Sequence, residues 1–86
     1  MRERYSYVIV GVIYSDAGVS VCVNERYGLW PNLQKAREEL IAIKKETMRD
    51  AIISGRECEY NLEENYLIIE DGDILEKWTI HKVKRN

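Results

Sequence analysis

The first apolar segment, residues 5–14, consists almost entirely of β-branched and aromatic side chains. Such residues fit the pleated surface of a sheet, so the segment predicts a β-strand. Successive side chains of a strand point to opposite faces. One face would carry Tyr5, Tyr7, Ile9, Gly11 and Ile13, and the other Ser6, Val8, Val10, Val12 and Tyr14. Both sets are largely apolar, which is typical of an interior strand that needs cover on both sides.

A turn and a second strand follow this segment. Ser15, Asp16, Ala17 and Gly18 have turn composition, and Gly18 can adopt the positive φ that a short hairpin loop uses. Residues 19–24 then alternate valine with Ser, Cys and Asn, the pattern of a strand with one face toward a core. The two segments together predict a β-hairpin.

A single long helix is predicted for residues 33–53. Its stripe comprises positions three or four residues apart, namely Leu33, Ala36, Leu40, Ile43, Thr47 and Ala51, widened by Ile41, Met48 and Ile52. Asn32 is suited to cap the first turn, and Gly55 is suited to end the last one. At 1.5 Å per residue the helix would be about 31 Å long, enough to cover one face of a small sheet.

The C-terminal part of the chain predicts more sheet. Residues 56–65 alternate apolar and charged side chains, which suits a short edge strand, although residues 62–65 fit a helical turn or a loop equally well. Residues 66–70 and 74–83 flank an Asp-Gly-Asp sequence at 71–73. An Asp-Gly pair between apolar runs is a strong hairpin signal, so a second hairpin is expected there.

The chain length fits one domain. Eighty-six residues are too few for two cores, and the pattern therefore predicts a single α+β domain over residues 1–86. We expect a four- to five-stranded antiparallel sheet in ββαββ order, with one long helix packed on one face. The basic tail at residues 82–86 is expected to fray.

Charge is distributed unevenly along the chain. The net charge of −2 gives no general attraction to nucleic acid or to an anionic membrane, and neither is an expected partner. Residues 56–76, however, hold eight acidic side chains and one basic one, a net of −7. This acidic band could attract a basic protein surface. The alternative, which is favoured, is a solvated edge that resists aggregation.

Patterns typical of enzymes and metal sites are not found in the sequence. Cys22 and Cys58 form neither a disulfide framework nor a zinc motif, which favours reduced thiols in the cytoplasm. His81 is the only histidine, and no nucleophile elbow, phosphate loop or complete calcium loop is present. No apolar run approaches the roughly 20 residues of a membrane helix. We therefore expect a cytoplasmic protein that is not an enzyme and uses no metal or cofactor.

One candidate ligand site precedes the helix. It comprises Arg26, Tyr27, Trp30, Asn32 and, one turn into the helix, Arg37. Free amides at a helix N-terminus attract anions and aromatic rings can stack on a base, so the segment predicts a small nucleotide ligand. The favoured alternative is that Trp30 or its neighbour packs against the sheet and fixes the path of the chain into the helix.

The two apolar faces of residues 5–14 lead to a second candidate site. One helix can cover one face, which leaves Val8, Val10, Val12 and Tyr14 without cover from their own chain. Full burial of a valine-sized side chain contributes about 1.5 kcal/mol or more. Packing of sheet on sheet across a two-fold axis would bury these residues, so they are the expected interface of a homo-oligomer.

Two stretches, YGLWPNLQKA at the start of the helix and EKWTIHKV in the last strand, carry a resemblance. Together with the order of elements, they resemble small uncharacterised proteins of bacteriophages and other mobile elements. The resemblance implies a counter-defence factor that blocks a host immune protein in the host cytoplasm. The alternatives are a sponge for a nucleotide signal, which would use residues 26–32, and a structural or assembly homo-oligomer.

Overall fold

The computed structural model describes residues 4–23 and 29–85 of the chain. In these ranges five strands and one helix are present: β1 (Arg4–Ser15), β2 (Gly18–Val23), α1 (Leu33–Ile53), β3 (Cys58–Leu62), β4 (Tyr66–Asp71) and β5 (Ile74–Arg85). The strands form one antiparallel sheet in the spatial order β2-β1-β5-β4-β3. The predicted α+β class is confirmed. The chain order is ββαβββ rather than ββαββ, because residues 58–62 form a strand of their own at the edge of the sheet.

Both predicted hairpins are present. The pair Ser15 and Gly18 closes the first hairpin, and the pair Asp71 and Ile74 closes the second. Gly72 has a φ of 61°. Glycine adopts this conformation without the steric cost that a side chain would add, which explains how two residues suffice to reverse the chain there.

β1 and β5 form the longest strand pair of the sheet. Their register runs from Tyr14 opposite Leu75 to Arg4 opposite Arg85. Residues 82–85 therefore belong to a strand, and the prediction that the C-terminal tail frays from residue 82 is wrong. The physical reason is that the first residues of β1, far away in the sequence, give the tail a pairing partner.

α1 packs on one face of the sheet. The helix has its predicted bounds, and Asn32 caps it as predicted, with the side-chain Oδ1 accepting a 2.9 Å hydrogen bond from the Lys35 amide. The buried core consists of Leu40 from the helix, Ile9 from β1, and Leu67 and Ile69 from β4. α1 contacts β1, β3, β4 and β5, but within the described ranges it makes no contact with β2. The helix therefore covers one face of the sheet and leaves one edge of that face bare.

Gly11 allows a close approach between the two longest strands. It lies on β1 directly opposite Trp78 of β5, on the face that α1 covers. A Cβ atom added at Gly11 would lie 2.5 to 2.8 Å from three carbons of the Trp78 ring. Carbon atoms pack without repulsion only at about 3.5–4 Å. The missing side chain is thus what allows the indole ring to lie over β1.

We expect Gly11→Ala to lower the free energy of unfolding by about 1–3 kcal/mol, because the new methyl group overlaps the Trp78 ring and the ring must move. Urea unfolding followed by circular dichroism measures this change. In a Trp78→Leu background the same substitution should cost less, since the ring is no longer there. An equal cost in both backgrounds would show that the ring contact is not the cause.

Candidate interaction surfaces

The face of the sheet opposite α1 has no second layer in the described part of the chain. We call its apolar side chains the open face. By strand register the open face comprises Val8, Val10, Val12 and Tyr14 of β1, Val19 and Val21 of β2, Tyr66 and Ile68 of β4, and Leu75 and Val83 of β5. The three β1 valines are half-buried between neighbouring side chains. The structure therefore places all four predicted interface residues on one face, away from the helix.

The valines of β2 correct one prediction. Their alternation was expected to direct them toward a core, but Val19 and Val21 lie on the open face and are 62% and 68% exposed. The reason is the register: Val19 lies opposite Tyr14 and Val21 opposite Val12, which places both valines on the face opposite α1. The alternation itself is as predicted, and only the cover expected on one side is missing.

Charged side chains of the described residues lie on three strands of the face opposite α1, namely β3, β4 and the central strand β5. Glu70 of β4 and Glu59 of β3 point to this face and are exposed. Lys77 of β5 is also exposed and lies opposite Val12. On the other side the sheet ends at β2, whose side chains on this face are valines. The open face therefore changes from charged at β3 to apolar at β2.

The predicted ligand site is described only in part, because Arg26 and Tyr27 lie outside the described residues. Trp30 and Tyr7 exchange two backbone hydrogen bonds, of 2.9 and 2.7 Å, and the half-buried Trp30 side chain packs against the core. Asn32 uses its side-chain oxygen to cap the helix. These contacts support the alternative role of the segment, which is to fix the path of the chain into α1.

Arg37 is directed toward the connection between β3 and β4. Its Nε donates a 3.0 Å hydrogen bond to the Glu64 carbonyl oxygen, and its guanidinium lies 3.4 Å from the Glu64 carboxylate. The sequence predicts that Arg37 helps to bind an anion at the helix N-terminus. In the structure its positive charge has a partner within the chain, which reduces the attraction available to an anionic ligand. The nucleotide site stays a prediction.

The acidic band at residues 56–76 lies largely at the surface. Asp71 is an exception, since its side chain is only 14% exposed and pairs with Arg56 at 3.2 Å. The exposed acidic residues are Glu57, Glu59, Glu63, Glu64, Glu70 and Asp73. They follow β3, its connection to β4, and the turn after β4, which together form one edge of the sheet. Repulsion among them disfavours sheet-to-sheet pairing at this edge.

The outer side of α1 carries apolar side chains that the sequence places at the border of the core stripe. Ile41 is 39% exposed, Ile52 75% and Ile53 73%. At about 100° of rotation per residue, Ile41 and Ile52 lie roughly 100–120° away from the direction of Leu40. The buried stripe is therefore narrower than the sequence predicts. Lys44, which is half-buried and about 40° from the direction of Leu40, lies over the Tyr60 ring of β3, 4.7 Å from its centroid.

Cys58 is a half-buried free thiol at the start of β3. Burial raises the pKa of this thiol above its ordinary value, the Asp71 and Glu76 carboxylates raise it further, and the Arg56 guanidinium lowers it. A thiol with a raised pKa holds little thiolate at neutral pH and is a poor nucleophile. Within the described ranges no three His, Cys, Asp or Glu side chains come together as metal ligands.

Comparison with models of protein families, with curated proteins and with solved structures finds no match to this chain. The resemblance to small proteins of mobile elements therefore stays a prediction. In the described ranges no helix is both long enough and apolar enough to cross a membrane. The surfaces that remain as candidates are the open face and the acidic edge.

We expect Asp71→Asn to lower the pKa of the Cys58 thiol. The substitution removes a carboxylate that disfavours the thiolate and leaves the nearby Arg56 charge uncompensated. The opposite change, Arg56→Gln, should raise that pKa. The rate of alkylation by iodoacetamide against pH, measured with Cys22 replaced by serine, reports both shifts. Profiles that do not move in opposite directions would contradict this account.

Proposed function

We propose that this protein is a small non-catalytic binding protein that works as a homo-oligomer through its open face. The observation that carries the proposal is that β1 is apolar on both sides while α1 covers only one of them. On the covered side Ile9 is completely buried. On the other side the neighbouring Val8 and Val10 are half-buried, and no described helix covers them. A second layer from another chain would complete their burial.

The size of the open face suits contact between two copies. The five strands contain 12, 6, 5, 6 and 12 residues. At about 3.4 Å per residue and about 4.8 Å between strands, the sheet spans roughly 670 Å². A stable contact between two proteins takes about 800 Å² from each partner. The face therefore supplies more than half of that area. Each fully buried valine stabilises such a contact by about 1.5 kcal/mol, and those already half-buried contribute less.

The arrangement of the face also favours a second copy as its partner. Interfaces have an apolar centre and a polar border. Here the apolar part is centred on Val8, Val10 and Val12 of β1, and the polar part begins with Lys77 on the neighbouring strand β5 and continues to Glu59 and Glu70. A two-fold axis in the plane between two sheets brings the same valines together from both chains. Symmetry thus supplies an apolar surface of matching size without a second gene product.

The predicted counter-defence role is the form of binding that we favour for the assembled protein. Four exposed residues of the acidic band at 56–76 stay outside the face-to-face contact, namely Glu57, Glu63, Glu64 and Asp73. They can meet a basic surface of a host protein. Such association is sensitive to salt. The role as a nucleotide sponge has less support, because Trp30, Asn32 and Arg37 have contacts within the fold. A structural or assembly protein would share the oligomer and lack a host target.

We expect Val10→Lys to reduce the number of chains per particle, because it buries a charge at the centre of the contact. Light scattering after size exclusion measures the mass, and circular dichroism checks that the variant folds. Tyr14→Lys, at a position that is already 41% exposed, gives the same test with less risk to folding. Ile52→Lys is the matched control on α1, where the side chain is 75% exposed, and it should leave the mass unchanged.

A wild-type protein that remains a single chain of 10.1 kDa at high concentration would overturn the oligomer proposal. So would an unchanged mass in both Val10→Lys and Tyr14→Lys.

Nucleotides and cyclic dinucleotides should leave the melting temperature unchanged if the protein blocks a protein partner. A ligand present at 100 times its Kd would add about 2.7 kcal/mol of stability, which corresponds to a rise of roughly ten degrees or more for a domain of this size. A saturable rise that Arg37→Ala abolishes would favour the sponge instead. Gln34→Ala, at an exposed position in the same helical turn, is the control.

A further inference from the structure

The open edge of β2 is a second surface suited to self-association. β2 ends the sheet, so one side of its backbone has no pairing strand among the described residues. Edge strands are normally protected by charged side chains or proline. β2, with the sequence GVSVCV, contains neither. β3, the strand at the opposite edge, carries Glu59, and its Tyr60 ring lies under Lys44 of the helix.

The apolar surface of β2 also continues to the edge without a polar border. Val19 and Val21 are 62% and 68% exposed on the open face, and α1 does not cover the other side of the strand. At the β3 side the same face ends in Glu59 and Glu70. Because interfaces normally close with a polar border, the absence of one at β2 indicates that the contact surface continues onto another strand.

We propose that β2 pairs antiparallel with β2 of a second copy, so that two sheets join into one of ten strands. The two-fold axis then runs perpendicular to the sheet and keeps each face continuous across the junction. In an antiparallel pair, side chains directly opposite each other lie on the same face of the sheet. Two registers centred on the middle of β2 meet this condition. Either Ser20 of one copy lies opposite Ser20 of the other, or Val21 lies opposite Val21. Both registers place valine beside valine on the open face.

A second copy fits this edge because the two strands are identical and uncharged, so that neither register brings like charges together. The area also requires a further contact. Pairing of two six-residue strands buries well under the roughly 800 Å² per partner that a stable contact needs, so the edge pairing depends on the face contact beside it. The inference rests on the proposed function, because it takes the contact through the open face as given. The face contact and the edge contact together build a particle of four chains around perpendicular two-fold axes.

Ser20→Lys tests the edge without touching the open face. Ser20 is exposed and lies opposite Ile13. Its side chain is therefore on the same face of the sheet as α1, at a strand that the helix does not contact. In either register the substitution places two lysines close together across the axis, where like charges repel. We expect light scattering to show four chains for the wild type and two for Ser20→Lys. Ser20→Thr, which adds no charge, and Gln34→Lys, which adds a charge on α1, should both retain four.

A mixture of Ser20→Lys with Ser20→Glu provides the decisive measurement. The opposite charges restore pairing across the edge, so the equimolar mixture should regain four chains while each variant alone has two. A variant that had merely lost its fold would not be rescued in this way.

Failure of this inference is distinguishable from failure of the proposed function. If Val10→Lys lowers the mass and Ser20→Lys does not, or if the mixture does not recover, the edge pairing is overturned and the face contact stands. If only Ser20→Lys lowers the mass, the face contact is overturned.

Discussion

The structure depends on one constraint, which is that a single helix can bury only one face of a sheet. β1 brings apolar side chains to both faces, and consecutive residues therefore have different surroundings. Ile9 is buried under Leu40 together with Leu67 and Ile69, whereas Val8 and Val10 point to the side that no described element covers. The helix side is a finished core. On β1 and β2 the other side has the composition of a core, and in the proposed oligomer another chain covers it.

Local signals account for the elements that the sequence predicts correctly. The periodicity of residues 33–53 and the cap at Asn32 define α1 to the residue, and the two turns define the hairpins. Long-range pairing is harder to predict, because the free energy of a strand pair depends on partners distant in the chain. The pairing of Arg4 with Arg85 is such a case, since nothing near residue 85 indicates the partner that orders it.

The candidate site can likewise be predicted from local sequence only in part. Strand alternation is enough to locate Val8, Val10, Val12 and Tyr14 on one face. Whether the valines of β2 face the core depends on their register with β1, and the pairing of Val21 with Val12 places them on the face that α1 does not cover. For Trp30 the sequence is compatible with both a ligand role and a packing role. The hydrogen bonds to Tyr7 favour packing, and they join segments more than twenty residues apart that no local pattern connects.

The small size of the chain explains why folding and association should be linked. Six hydrophobic residues make up the fully buried set among the described residues, and two of them are alanines. A domain of this length gains only a few kcal/mol beyond its conformational entropy. In the proposed oligomer, burial of the open face adds stability, so by mass action the folded population would rise with protein concentration. If the proposed oligomer forms, the separated chain is both less stable and more apolar at its surface. Cellular proteases degrade less stable species, so the oligomer would then be the longer-lived form.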